Sequence, residues 1–137
     1  MIVLDTNVLS ELMKISPSAR VMSWREAHPV AELFITTITQ AEILLGIELL
    51  PKGKRRAALE NASKETFDEF DRRVLPFDTD AARAFASISA ARRKFGRPIS
   101  QTDAQIAAIA RSCGAAVATR NSGDFEHCGV TVLNPWS

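Results

Sequence analysis

The sequence predicts a single α/β domain built on a mostly parallel sheet, and three observations carry that expectation. Short apolar or β-branched runs alternate with longer segments of helical periodicity, the pattern of strands joined by helical crossovers. Pro and Gly stand at the seams between those segments. The 137 residues, 46% of them apolar, suffice for one continuous core, and no repeat, low-complexity tract or linker divides residues 1–137.

Taken in order, Ile2 to Leu4 reads as a first strand ending at Asp5. Val8 to Lys14 reads as a short helix stopped before Pro17, and Ser18 to Ala27 as a second, closed by His28-Pro29. Leu33 to Thr36 is the next strand candidate, followed by an apolar helix from Thr37 to Leu50 that Pro51 ends. Lys52 to Arg73 is long, charged and free of Pro, with Leu59, Phe67 and Phe70 as its apolar contacts, an exposed helix with one buried stripe. Val74 to Phe77 is a third strand. Thr79 is expected to cap an alanine-rich helix running to about Phe95, with Gly96 in the usual ending position. Ser100 to Cys113 is the last helix, closed by Gly114. Ala115 to Thr119 and Val130 to Leu133 complete the strands.

Bulk properties exclude several classes. A net charge of +1 gives no broad attraction to nucleic acid, so any such binding rests on local patches. No apolar stretch approaches the roughly 20 residues of a membrane span. The start, MIVLDTNVLSEL, lacks a basic leader region and carries Asp5, Asn7 and Glu11, so it reads as mature structure. Cys113 and Cys128 have neither metal-site nor disulfide-framework spacing. Reduced thiols and a cytoplasmic location are expected.

Four acids stand out. Asp5 follows the first strand and Asp124 the loop after the fourth, and ligand sites of open α/β sheets lie outside the carboxyl ends of strands. Ordinary explanations exist for both, a helix cap and a turn. Asp103 lies three residues after Ser100, close to a capping-box spacing. Glu42 is the hardest to dismiss. On a helix its neighbours are Ile38, Leu45 and Gly46, and a carboxylate in an apolar stripe needs a cation, a metal or donors. Two like charges 4 Å apart cost about 4 kcal/mol at an effective dielectric of 20. A converging set therefore calls for a divalent cation, and oxygen ligands without paired His or thiolate select Mg²⁺, or Mn²⁺, over zinc.

The strings MIVLDTNVLSEL, TTITQAEILLGIELLPKGKRR, PISQTDAQIAAIARSCGAAVATRNSGDFEHCG and the ending NPW follow one another in order across most of the chain. Together they resemble the PIN-domain nucleases, and more narrowly the VapC/FitB-type toxins of bacterial toxin–antitoxin pairs. The resemblance implies a three-layer fold with strand order 3-2-1-4-5 and helices on both faces, placing Asp5 and Asp124 on adjacent strands. It also implies hydrolysis of RNA phosphodiester bonds, a homodimer, and silencing by a small antitoxin. The antitoxin expected is a ribbon-helix-helix protein, through which alone this chain would reach DNA. Asp5 and Asp103 match the most dependable metal ligands of such proteins, with Asp124 and Glu42 completing the site. Thr119 matches the accompanying hydroxyl residue and Asn7 the asparagine that steadies the first loop.

Arg120, next to these residues in sequence, is the nearest candidate for substrate contact. Two further basic groups, Lys52, Lys54, Arg55 and Arg56, then Arg92, Arg93, Lys94 and Arg97, read first as solvated helix ends. Trp24 and Trp136 read as packing residues, and no aromatic stacking platform is evident. Neither His28 nor His127 has metal-pair spacing or a nucleophile partner, and no GxSxG or P-loop string occurs. An aspartyl phosphotransferase would want an acid where Asn7 stands. The rival from another class is a non-catalytic subunit acting by binding beside a DNA-binding antitoxin.

Overall fold

The computed structural model describes all residues, Met1–Ser137. Five short strands form one parallel sheet in the order β3-β2-β1-β4-β5: β1 (Ile2–Leu4), β2 (Leu33–Thr36), β3 (Val74–Leu75), β4 (Ala116–Ala118) and β5 (Val132–Leu133). The sequence expectation of a parallel sheet with strand order 3-2-1-4-5 is met. β1 is central, with Val3 opposite Phe34 on one side and Val117 on the other.

Strand pleating explains the two layers of core. Ile2 and Leu4 point to one face, where Val8 and Leu9 of α1 (Thr6–Leu12) and Ile43 and Ile47 of α3 (Thr37–Glu48) cover them. Val3 points to the other face, onto Ile88 of α5 (Thr79–Lys94) and Ile106 and Ala107 of α6 (Gln101–Ser112). Trp24 of α2 (Ala19–Glu26) and Leu59 and Phe67 of α4 (Lys54–Glu69) pack at the margin of the first cluster. The sheet is thus covered on both faces, as buried parallel strands require.

Several boundaries differ from expectation for identifiable reasons. α1 begins at Thr6 because Asp5 occupies the cap position, its side chain accepting from the Thr6 N–H. The long charged helix starts at Lys54 and ends at Glu69; Arg72 adopts φ 66°, a left-handed conformation that no helix can continue. Arg73 secures that turn by donating to the carbonyls of Val30, Leu33 and Glu69. β3 stops at Leu75 because Pro76 has no N–H for the ladder. Asp78, not Thr79, caps α5, accepting from the Ala81 N–H at 2.9 Å. Ser100 caps α6 as expected, accepting from the Asp103 N–H at 3.2 Å. Two 3₁₀ turns, Val30–Glu32 and Ser122–Phe125, lie where only loops were expected. Both cysteines are free, Cys113 exposed and Cys128 buried. No helix is long and apolar enough to cross a membrane.

Candidate active site

An open pocket of about 480 Å³ lies over the carboxyl ends of β1 and β4. Asp5, Thr6, Asn7 and Glu11 line it from the β1–α1 segment, Glu42 from α3, Asp103 from α6, and Arg120 and Asn121 from the loop after β4. Trp136 is its one apolar wall. The topology explains the convergence: β1 and β4 are hydrogen-bonded neighbours, so the segments leaving them emerge side by side.

Asp5 is only 5% exposed and held by three donors. The Thr6 N–H donates to Oδ1 at 2.8 Å, while the Thr119 hydroxyl at 2.7 Å and Asn7 Nδ2 at 3.2 Å donate to Oδ2. Asn7 also reaches Thr119 Oγ1 at 3.3 Å, and its Oδ1 accepts from the Arg120 N–H at 3.2 Å. Asn7 and Thr119 therefore join the two strand ends. Burial pushes the Asp5 carboxyl up to about 6; the hydroxyl and amide donors oppose that rise, and the Asp103 and Glu42 charges add to it.

Glu42 stands opposite, half-buried. The Thr6 hydroxyl donates to its Oε1 at 2.7 Å, which spends the single Thr6 proton, so the Thr39 hydroxyl at 2.9 Å donates in turn to Thr6. The arginine that could have explained Glu42 is absent, since no cation lies within salt-bridge distance. The apolar stripe beside it is only partly core: Ile38 packs against the second cluster, whereas Leu45 and Leu49 are 59% and 76% exposed. Asp103, partly buried, has its carboxyl raised by burial, against the Ser100 hydroxyl, and by the charges of Asp124 and Glu42.

Asp124 is placed differently. It is exposed on the 3₁₀ turn, does not line the pocket, and meets the cluster only on the Asp103 side. Its backbone is fixed from behind by Arg92, which the sequence grouped with solvated basic residues. Arg92 is 4% exposed and donates through Nε to the Arg97 carbonyl at 2.7 Å. Through one terminal nitrogen it donates to the carbonyls of Asp124 at 2.8 Å and Glu126 at 2.9 Å.

Two other pocket residues were not picked out from sequence. Glu11 is a buried wall of the pocket, accepting from Lys14 Nζ and the Ser18 N–H, both at 3.0 Å. Trp136 packs on the first core cluster and also faces the pocket, its ring centroid 5.1 Å from the Arg120 guanidinium carbon. Of the basic group at the start of α4, Arg56 is engaged with Glu48, Glu60 and the Leu50 carbonyl, whereas Arg55 lines an adjoining groove. That groove, of about 320 Å³ between α1, α3 and α4, shares Thr6, Ser10, Lys14 and Glu42 with the acid pocket.

A five-stranded parallel sheet in this order, with acids gathered at the carboxyl ends of its central strands, defines a PIN-type domain. The chain belongs to the PIN-domain family, whose model matches residues 2–129, and within it to the VapC/FitB toxin group. It is 42% identical to the VapC ribonuclease Y4jK of Sinorhizobium fredii over 137 residues, covering 99% of this chain and 98% of the relative. It is 38% identical to toxin FitB of Neisseria gonorrhoeae over 137 residues, with 99% of each chain covered. A solved structure of FitAB bound to a DNA fragment superposes with a TM-score of 0.92 at 37% identity, covering 100% of this chain and 96% of that one.

Proposed function

We propose that the protein is a Mg²⁺-dependent endoribonuclease, the toxin of a toxin–antitoxin pair. The observation that carries this reading is the donor set of the pocket. Asp5, Glu42 and Asp103 converge on one open space, and no side-chain cation pairs with any of them. A site with oxygen donors and no thiolate or imidazole suits a hard divalent cation, Mg²⁺ or Mn²⁺. No three His, Cys, Asp or Glu side chains of the chain are arranged to hold an ion alone. That fits Mg²⁺, which commonly takes one or two carboxylates and completes its shell with water and substrate phosphate.

Asp5 and Asp103 would hold the cation, with Asp124 and Glu42 completing the site directly or through water. When bound, the cation supplies positive charge for the phosphate oxygens and acidifies water. Thr119 and Asn7 keep the Asp5 carboxylate oriented, and the Thr39–Thr6–Glu42 hydroxyl chain does the same for Glu42. Glu42 positions the attacking water and accepts its proton. Arg120, exposed at the rim, contacts substrate phosphate.

The name of the Sinorhizobium relative supports RNA as substrate, and the FitAB complex supports a small antitoxin as partner. That antitoxin is expected to be a ribbon-helix-helix protein, with DNA reached only through it. Exposed Leu44 and Leu45 on α3 and Leu49 at its end favour a homodimer or antitoxin contact there, and a cytoplasmic location is expected.

The test is cleavage of varied RNAs by purified protein with Mg²⁺, beside Asp5→Asn. The native protein should cut and the variant should not. If both are inactive and neither binds metal, the chain acts by binding alone.

A further inference from the structure

We propose that Arg120 and Trp136 form a nucleobase subsite at the rim of the acid pocket, stacking one unpaired nucleotide of RNA next to the scissile phosphate; this rests on the ribonuclease reading above. Without a cation, four acids, Asp5, Glu11, Glu42 and Asp103, outnumber Lys14 and Arg120 in the pocket lining, so a polyanion gains from a further hold at the rim. Trp136 is the only apolar residue there.

Its ring packs against the first core cluster, and its backbone is tied down. The Trp136 backbone N–H donates to Asn134 Oδ1 at 2.9 Å, its carbonyl accepts from Arg20 at 3.4 Å, and Pro135 before it is buried. Arg120 lies over the indole, fixed at its backbone by Asn7 Oδ1. Although it shares a pocket with four acids, Arg120 is within 4.0 Å of none of them. Its charge and the outer face of its guanidinium are therefore available. Indole and guanidinium planes are surfaces on which splayed-out bases stack, and such stacking needs an unpaired strand.

The surface continues past Trp136 into an open hollow of about 500 Å³ lined by Arg20, Ser23, Trp24, Pro135 and Ser137. It offers a second cation and a second aromatic ring.

The experiment is a cycle between protein and substrate. A short single-stranded RNA that the native protein cuts is compared with versions carrying one abasic ribose at successive positions near the cut. Trp136→Leu should raise KM roughly tenfold, the worth of one stacked base, with kcat changed much less, and Trp136→Phe should keep most of the affinity. One abasic position should cost the native protein a similar factor and cost Trp136→Leu nothing more. Losses that multiply at every position, or an unchanged KM in a Trp136→Leu protein with native circular dichroism, overturn the subsite. Should Trp136→Leu fail to fold, Arg120→Gln, at an exposed position, carries the same cycle. Native protein that cuts no RNA sinks the ribonuclease reading and the subsite together, whereas cutting with multiplying losses sinks the subsite alone.

Discussion

Asp5 and Asp124 both leave the carboxyl ends of adjacent strands, yet the chain fixes them by opposite means. Asp5 is buried and its side-chain oxygens are gripped directly by Thr6, Asn7 and Thr119. Asp124 is exposed and its carboxylate is ungripped; Arg92 holds the backbone beneath it. The first arrangement costs stability, because desolvation raises the carboxyl to about 6, and yields a preset oxygen pair. The second leaves a carboxylate able to adjust. The site thus combines one rigid acid with one compliant acid.

The largest test of this contrast is activity. Asp5→Asn should lower RNA cleavage about a thousandfold, the scale of losing a preorganised charge at a reacting centre. Asp124→Asn should cost only about ten- to a hundredfold, as for a group supporting the site from outside the direct ligands. Equal losses in a side-by-side cleavage assay would erase the distinction.

Next comes the backbone grip. Arg92→Leu strands the carbonyls of Arg97, Asp124 and Glu126, and should lower stability by about 3 kcal/mol in urea denaturation. A loss under about 1 kcal/mol would mean that the 122–128 segment holds itself.

The third test is pH. Between about pH 4 and 6 the unfolded chain has ionised Asp5 while the folded chain keeps it protonated, so stability falls as pH rises and the full cost stands above 6. The shift from 3.8 to about 6 sets a ceiling of about 3 kcal/mol. Metal-free Asp5→Asn, less the hydrogen bonds it forfeits, should thus gain about 1–2 kcal/mol on the native protein at pH 7 and nothing at pH 4. A pH-independent difference in Tm would show that Asp5 is not desolvated.

The smallest effect belongs to Thr119→Val, which deletes one donor to Asp5 Oδ2. Mg²⁺ affinity, read by calorimetry, should fall about tenfold with the fold intact.

How far the sequence revealed this site depends on the range of the interactions. The strand order and pairing of β1 with β4 came with the family resemblance, and the acids at Asp5 and Asp103 were legible because element boundaries place them. Glu42 drew notice for a partly mistaken reason: its apolar neighbours Leu45 and Leu49 face solvent, and the Thr6 hydroxyl donates to it. Arg92 was illegible. Apart from the nearby Arg97 carbonyl and the Cys128 Sγ, its partners are carbonyls 32 and 34 residues away, which leave no trace in residue identity, while its position near a helix C-terminus already had a local explanation. Glu11 and Trp136 were lost for the same reason, since only the assembled fold turns them toward the pocket.

The grip of Arg92 on main-chain oxygens has a consequence for divergence. Every residue carries a carbonyl, so Asn121 and Ser122 can be exchanged without loosening the anchor beneath Asp124, whereas Glu126 also bonds Arg97 and His127 holds a φ of 60°. That part of the turn can thus vary in charge while its acid stays in place.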